Sequence, residues 1–300
     1  MATVICGSLA FDTIMTFEGR FADQILPDQL HILNVSFLVP ELRRDFGGCA
    51  GNIAYSLNAL GGKALPMATV GRDGADYVER LQKLGIDTAF VRTVEDSYTA
   101  QAMIMTDRDN NQITAFHPGA MQQAHSTRIE SRDDIHLGII SPDGRDAMLQ
   151  HAAQFKAAGI PFVFDPGQGL PMFDGAELTN FVQLADWITV NDYEGKMLSD
   201  RTGWSKAELS RHVRGLVVTL GAEGCEVWRD GELIHVPAVK PTEVVDPTGC
   251  GDAWRGALLF GLEQGWDLAR CAALGNRIGA LKVAQRGPQN YLVNSKEIEL

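Results

Sequence analysis

Val245-Asp246-Pro247-Thr248-Gly249-Cys250-Gly251-Asp252 runs directly into Ala253-Trp254-Arg255-Gly256-Ala257-Leu258-Leu259-Phe260-Gly261-Leu262, a largely apolar stretch that reads as a helix. Glycines ahead of a helix let the chain turn tightly and leave main-chain N–H groups free to face an anion. A carboxylate at the helix start, here Asp252, can simply cap it. Beside free amides it also suits attack of a hydroxyl on phosphorus. That reaction needs a group to accept the proton and dipoles to meet the charge that develops on the transferred phosphoryl.

Upstream of this motif, short β-branched or aromatic runs recur between longer helical patterns, the order of βαβ units around a parallel sheet. The pattern predicts strands at Thr3–Ala10, Ala64–Thr69, His136–Ser141, Pro161–Asp165, Trp187–Val190 and Leu216–Leu220. Amphipathic helices are predicted at Asn52–Leu60, Ala75–Leu84, Asp146–Ala158 and Lys206–Val213, and a further helix at Ala269–Val283. Ligands of open parallel sheets bind beyond the carboxyl ends of the strands. Five predicted strands deliver polar or glycine-bearing ends to that edge: Asp12, Ser141 to Gly144, Asp165 to Gln168, Asn191, and Thr219 to Gly221.

Thr99–Thr106, a polar turn at Asp107–Asn111, and Gln112–His117 break the alternation and read as a β-hairpin. With Thr13–Val39, which lacks a strong helical period, it is expected to form a small sheet projecting from the body. Such a sheet suits a lid that excludes water from a cleft. The whole chain, 1–300, is read as one domain carrying a lid at about 13–39 and 98–117.

Length and composition fit that reading. A chain of 300 residues with 45% hydrophobic content can bury a large core. A net charge of -12 disfavours the broad cationic surface of a nucleic-acid or anionic-membrane binder. The five cysteines, Cys6, Cys49, Cys225, Cys250 and Cys271, are scattered without zinc-type spacing and read as reduced thiols. With no basic leader and no long apolar run, a cytoplasmic protein that binds neither nucleic acid nor membrane is expected.

A second motif, Gly47-Gly48-Cys49-Ala50-Gly51-Asn52-Ile53-Ala54, stands early in the chain. Taken with Asp246 to Asp252, it makes the sequence resemble the ribokinase-like (pfkB) carbohydrate kinase family, and within it the bacterial and archaeal nucleoside and adenosine kinases. The resemblance spans essentially the whole chain and implies a three-layer α/β/α ribokinase-like fold with a mostly parallel central sheet and a small β lid. It implies that Asp252 takes the proton from a substrate hydroxyl while the amides of Gly249, Cys250 and Gly251 hold the phosphoryl in transit. Asp12 should then accept hydrogen bonds from ribose hydroxyls, with Gly47, Gly48 and Asn52 completing the sugar pocket.

For ATP the same transfer points to Asn191, Thr219, Gly221 and Gly224, with Asn276 near the adenine. Glu194 is associated with Mg²⁺ and phosphate placement, through water. Asp246 and Thr248 occupy positions where the family often holds a monovalent cation, so K⁺ dependence is open; for Asp246 the competing role is to fix the turn.

The chain departs from the family's sugar kinases in carrying Asp165-Pro166-Gly167-Gln168 where those commonly have Asp-x-Asn and an Arg. Gln168 can both donate and accept, and so can read a purine edge. Ile113 and Ala115 share one face of the hairpin strand and are expected to pack against a base. The lid turn has Asn110-Asn111-Gln112 in place of an Arg, leaving Arg43, Arg44 and Arg108 as sources of positive charge for the phosphates. The leading expectation is an adenosine or broader purine nucleoside 5′-kinase. A free-sugar kinase, or an inactive nucleoside-binding regulator, is the alternative, and a homodimer through the lid strands is compatible with either.

Overall fold

Where the sequence predicts one strand over Thr3–Ala10, the chain makes two. Strand β1 (Ala2–Cys6) ends before Gly7, and β2 (Ala10–Thr16) belongs to a different sheet. The break is enforced at residues 7–9: a Cβ on Gly7 would meet Ser141 Oγ at 2.1 Å, and the Ser8 amide donates to Pro142 O. Asp12 consequently stands within β2 rather than at the end of the first strand.

This computed structural model describes residues 1–25, 31–32, 34–109, 111–129 and 132–294. After β2 come α1 (Phe21–Gln24), β3 (Glu41–Gly47), α2 (Cys49–Ala59), β4 (Ala64–Gly71), α3 (Ala75–Lys83), β5 (Val91–Val94), β6 (Ala100–Thr106) and β7 (Gln112–His117). Regular βα alternation then resumes with β8 (Ile135–Ile140), α4 (Arg145–Ala158), β9 (Phe162–Phe164), α5 (Gly175–Leu184), β10 (Trp187–Asn191), α6 (Asp192–Thr202), α7 (Lys206–His212) and β11 (Gly215–Thr219). The chain closes with the hairpin β12 (Cys225–Arg229) and β13 (Glu232–Val236), then α8 (Cys250–Glu263) and α9 (Leu268–Val283).

The nine-stranded main sheet has the order β13-β12-β11-β10-β9-β8-β1-β4-β5 and is parallel as far as β11, beyond which β12 runs antiparallel to both β11 and β13 at one edge. Every residue of β1 and β4 is buried, as a strand covered by helices on both faces requires. Ile5 points into a core built with Ile53 and Leu57 of α2, Leu258 of α8 and Ile278 of α9. Val4 and Cys6, of opposite parity, enter a second core with Phe155 of α4, Phe181 of α5 and Leu198 of α6. This is the three-layer arrangement.

The lid is a four-stranded sheet of order β3-β2-β6-β7, with β2 and β6 parallel and the outer pairs antiparallel. Its strand β3 lies beyond Val39, outside the expected lid bounds. Glu41, Arg43, Arg44 and Asp45 disguise it, yet charge is what a sheet edge tolerates. At the far end Phe17, Phe21 and Phe37 pack together, while Asp107 closes the hairpin turn by accepting from the amides of Asp109 and Asn111. Asn110 of the expected lid turn, and residues 26–30 and 33 of the expected lid segment, lie outside the described residues. So do 295–300 of the expected single domain. Among the described residues no helix is long and apolar enough to cross a membrane.

Helices α2 and α8, which carry the two glycine motifs, are pressed together at Gly256. A Cβ there would meet Ser56 Cβ at 2.4 Å and the Leu57 amide nitrogen at 2.9 Å. Gly256→Ala is therefore expected to destabilise by about 1–3 kcal/mol through overpacking. The readout is a lower urea midpoint at unchanged m value. An unchanged midpoint would mean that the two helices separate freely.

Candidate active site

The carboxyl edge of the main sheet and the inner face of the lid enclose a cleft of about 580 Å³. The two N-terminal helix turns contribute Gly48, Cys49, Asn52, Thr248, Gly249 and Asp252 to its wall, and β2 contributes Asp12. Ala102, Ile104, Thr114 and Phe116 line it from the lid, and Met121, Asp143, Gln168 and Met172 close the remaining side.

Asp252 stands in the first turn of α8, behind Gly249, which takes the left-handed conformation (φ 77°) that a turn of this kind demands. Its Oδ2 accepts from Asn52 Nδ2 at 2.8 Å. The Asn52 Oδ1 accepts in turn from Gln289 Nε2 at 3.0 Å, and the same nitrogen donates to the Tyr77 hydroxyl, which itself donates to Gly47 O. This chain of bonds fixes the Asn52 amide so that its NH₂ faces Asp252. Gly51 must be glycine, since a Cβ would meet the Tyr77 hydroxyl at 2.0 Å. Asn52 thus holds the carboxylate, and it also lines the cleft in which the motif implied a sugar contact. Burial pushes the Asp252 carboxyl up, opposed by the Asn52 bond and the Arg255 guanidinium.

Asp12 faces Asp252 across the cleft from the lid. Gly47 makes room for it, since a Cβ there would meet Asp12 Oδ2 at 2.3 Å, while Gly48 (φ 84°) makes room for the preceding chain, where a Cβ would meet the Ala10 nitrogen and Ser8 O, both at 2.6 Å. Burial, reinforced by the negative charges of Asp45, Asp252 and Asp246, raises the Asp12 carboxyl to about 6.

Beneath the anion-hole turn lies a buried cation that the sequence reading counted as part of an apolar helix. Arg255 is 6% exposed, and its Nε pairs with Asp165 at the end of β9. Its Nη2 lies 4.0 Å from Glu194 Oε2, and Nη1 donates to Gly251 O at 3.1 Å. One guanidinium thereby joins three strand-end and helix-start elements. Burial pushes the Asp165 carboxyl to about 7 against the pull of Arg255. Glu194 and Asn191 form a reciprocal cap on α6: Asn191 Oδ1 accepts from the Glu194 amide and Glu194 Oε2 from the Asn191 amide.

Some expected contacts are not available. The Cys250 amide donates to Pro247 O, so it is turned into the turn rather than toward an anion. Among the described residues the amides of Gly249 and Gly251 donate to no main-chain carbonyl and remain for that purpose. Ile113 and Ala115 lie on the opposite face of β7 from the cleft-lining Thr114 and Phe116. Strand alternation gave two faces, and the inner one is the other parity. Arg44 lies over the Phe11 ring and pairs with Asp73, and Arg108 is exposed at the hairpin turn. Of the three arginines proposed for phosphate, Arg43 comes to the anion-hole turn, 3.7 Å from Asp246 Oδ2.

Among the residues expected to meet ATP, Thr219 ends β11 and its hydroxyl donates to Val190 O at 3.4 Å. Gly221 (φ 59°) leaves open space above it, while Gly224 (φ 93°) lets the chain pass Val236 O, which a Cβ would meet at 2.2 Å. Asn276 does not present a free amide to an adenine. Its Oδ1 accepts from Trp254 Nε1, and its Nδ2 donates to Val236 O and Pro237 O, pinning α8, α9 and the chain after β13 together. Gln168 is exposed on a 3₁₀ turn in the cleft wall, as expected.

Asp246 is engaged by the chain itself. Oδ1 accepts from the Thr248 amide and Oδ2 from the Gly287 amide, each at 2.9 Å. Although burial opposes it, these amides and the nearby Lys282 hold its carboxyl below the usual range. Cys49 and Cys250 flank the two glycine turns. Burial raises both thiols, Asp252 adds to the effect, and Cys250 reaches about 11.

A structure of the nucleoside kinase of Burkholderia thailandensis in complex with inosine superposes with a TM-score of 0.88 at 52% identity, covering 99% of this chain and 95% of that one. The same enzyme in complex with ADP-inosine superposes at 0.86 and 54% identity, covering 99% and 93%. The nucleoside kinase of Methanocaldococcus jannaschii is 29% identical over 264 residues, 86% of each chain. The profile of the pfkB family carbohydrate kinases matches residues 15–295, both glycine motifs included. With an acidic side chain set beside free amides at the strand-end edge of a ribokinase-like fold, and a family match over nearly its whole length, the chain belongs to the pfkB carbohydrate kinases.

Proposed function

We propose that this phosphotransferase is an ATP-dependent nucleoside kinase acting on the 5′-hydroxyl of adenosine or a range of purine nucleosides. The observation that carries this reading is the placement of Asp252, held by Asn52, in one cleft with the lid carboxylate Asp12 and an apolar lid wall. A free sugar would meet the carboxylates but leave Ile104, Phe116 and Met172 uncovered. A purine base gives these side chains a partner of matching size and polarity. The Burkholderia thailandensis enzyme, which carries inosine, supports the same class of substrate.

In this reading Asp12 accepts hydrogen bonds from the ribose hydroxyls and sets the 5′-oxygen toward Asp252. Asp252 accepts the proton of the attacking hydroxyl, a modest demand because the phosphoryl-transfer transition state asks little of the nucleophile. Gly249 and Gly251 offer amides to the transferred phosphoryl, and the N-terminus of α8 adds its dipole. The nucleotide lies along Thr219, Gly221 and Gly224, with Asn276 shaping its site from behind. Glu194 keeps one carboxylate oxygen beyond its capping bond, which suits it to a water of a hydrated Mg²⁺. Such an ion, when bound, neutralises charge on the phosphates. Closure of the lid excludes water from the cleft. The exposed apolar side chains on its outer face, Leu42, Met103 and Ile113, give a second copy a surface to pair with. The free, scattered cysteines agree with a cytoplasmic setting.

A phosphoryl-transfer assay with Mg²⁺-ATP across adenosine, inosine, guanosine, cytidine, ribose and fructose should show turnover of purine nucleosides well above ribose. Turnover of ribose alone would reverse the assignment. Asp252→Asn is expected to lower kcat by orders of magnitude with ATP affinity largely kept, and Asp12→Ala to raise the nucleoside KM strongly. Normal kcat in the first, or normal KM in the second, would remove the assigned role.

The pH profile gives a further check. Asp252 works ionised, so kcat falls as pH drops through its raised pKa, placing the acid limb above the ordinary carboxylate range. Removing the Arg255 charge raises that pKa further. Arg255→Met should therefore shift the limb to higher pH, and an unshifted limb would show that Arg255 does not act on Asp252.

A further inference from the structure

Lys282 is fully buried in α9, and an ammonium taken out of water requires oxygen partners. Its Nζ donates to Asp246 O at 2.7 Å and to Gln285 O at 3.1 Å. The first of these carbonyls opens the anion-hole turn, and the second belongs to the segment that follows α9. The main-chain amides of Val245 and Asp246 bond to Val283 O beside it. The ammonium therefore sits between two stretches of chain that meet behind the phosphoryl site.

The Asp246 half of the site where the resemblance allows a monovalent ion is already engaged in this arrangement. All three oxygens of Asp246 already have donors from the chain: Thr248 N on Oδ1, Gly287 N on Oδ2 and Lys282 Nζ on the carbonyl. A dehydrated K⁺ needs several oxygens with free lone pairs turned toward one point. Here the carbonyls that could gather around an ion gather around Nζ, which supplies the same unit charge and is covalently attached.

We propose that Lys282 is a positioning residue that takes the part of a bound monovalent cation, fixing the anion-hole turn so that phosphoryl transfer runs without K⁺. This rests on the phosphotransferase reading above. Lys282 does not line the cleft; it acts through Asp246 O on the turn that presents the Gly249 and Gly251 amides. Its loss should therefore act on kcat more than on the nucleoside KM.

The test compares turnover of a purine nucleoside in tetramethylammonium chloride and in KCl at equal ionic strength, for the wild-type protein and for Lys282→Ala. The wild type is expected to change less than twofold between the salts. Lys282→Ala is expected to lose at least tenfold in kcat in tetramethylammonium, with KM within about threefold, and to recover part of it saturably with K⁺ or NH₄⁺. Tenfold or greater activation of the wild type by K⁺ would overturn the proposal, and decides it even if the variant does not fold. A folded variant with normal kcat, or one that responds to no cation, would overturn it too. K⁺-dependent turnover leaves the nucleoside kinase reading standing, whereas no turnover of any nucleoside or sugar in either salt removes both.

Discussion

The bond from Asn52 Nδ2 to Asp252 Oδ2 is the constraint on which the site depends. It joins the first turns of α2 and α8, the helices that carry the two glycine motifs, and it links positions 200 residues apart. An asparagine amide can face either way, and only one orientation gives the carboxylate a donor. Gln289 and Tyr77 impose that orientation from behind, because Gln289 Nε2 can approach Asn52 only as a donor to its oxygen. Gly256 then lets the helices approach closely enough for the bond to form. Packing, amide orientation and the state of the Asp252 carboxyl are in this way parts of one arrangement.

The second organising element is charge. Asp12, Asp165, Glu194, Asp246 and Asp252 crowd the carboxyl edge of the sheet, in a chain already carrying -12. A site meant for anionic phosphates would repel them if these carboxylates stood alone. Three cations oppose the crowding from within the protein: Arg255 under the turn, Arg43 at the lid edge and Lys282 behind it. Each is tied to a particular carboxylate or carbonyl, so the positive charge is fixed in place before any ligand arrives. Such preorganisation is what makes electrostatic stabilisation effective in a transition state.

Much of the fold was legible because it rests on local pattern. The alternation of apolar runs and amphipathic periods marked most of the parallel strands and their helices, and the two glycine motifs marked the turns that shape the cleft. Strands β3, β5, β12 and β13 were not read, since they are short or carry charge at the sheet edge, and helices α1, α5 and α6 were not read either. Alternation in β7 revealed two faces but not which one the body would cover, so Ile113 and Ala115 were chosen over Thr114 and Phe116. Arg255 was hidden inside an apolar run, and its meaning comes from Asp165 and Glu194, brought to it by other strands. Tyr77, Gln289 and Lys282 were silent for the same reason: each is defined by a partner that only the fold supplies.

The sulfurs of Cys49 and Cys250 illustrate what this crowding does to groups that take no part in the chemistry. A thiol at the start of a helix ordinarily leans toward the thiolate, which oxidants and alkylating agents attack. Here burial and the neighbouring carboxylates reverse that tendency and keep both protonated. The electrostatic setting around Asp252 thus favours the protonated, less nucleophilic form of the adjacent thiols.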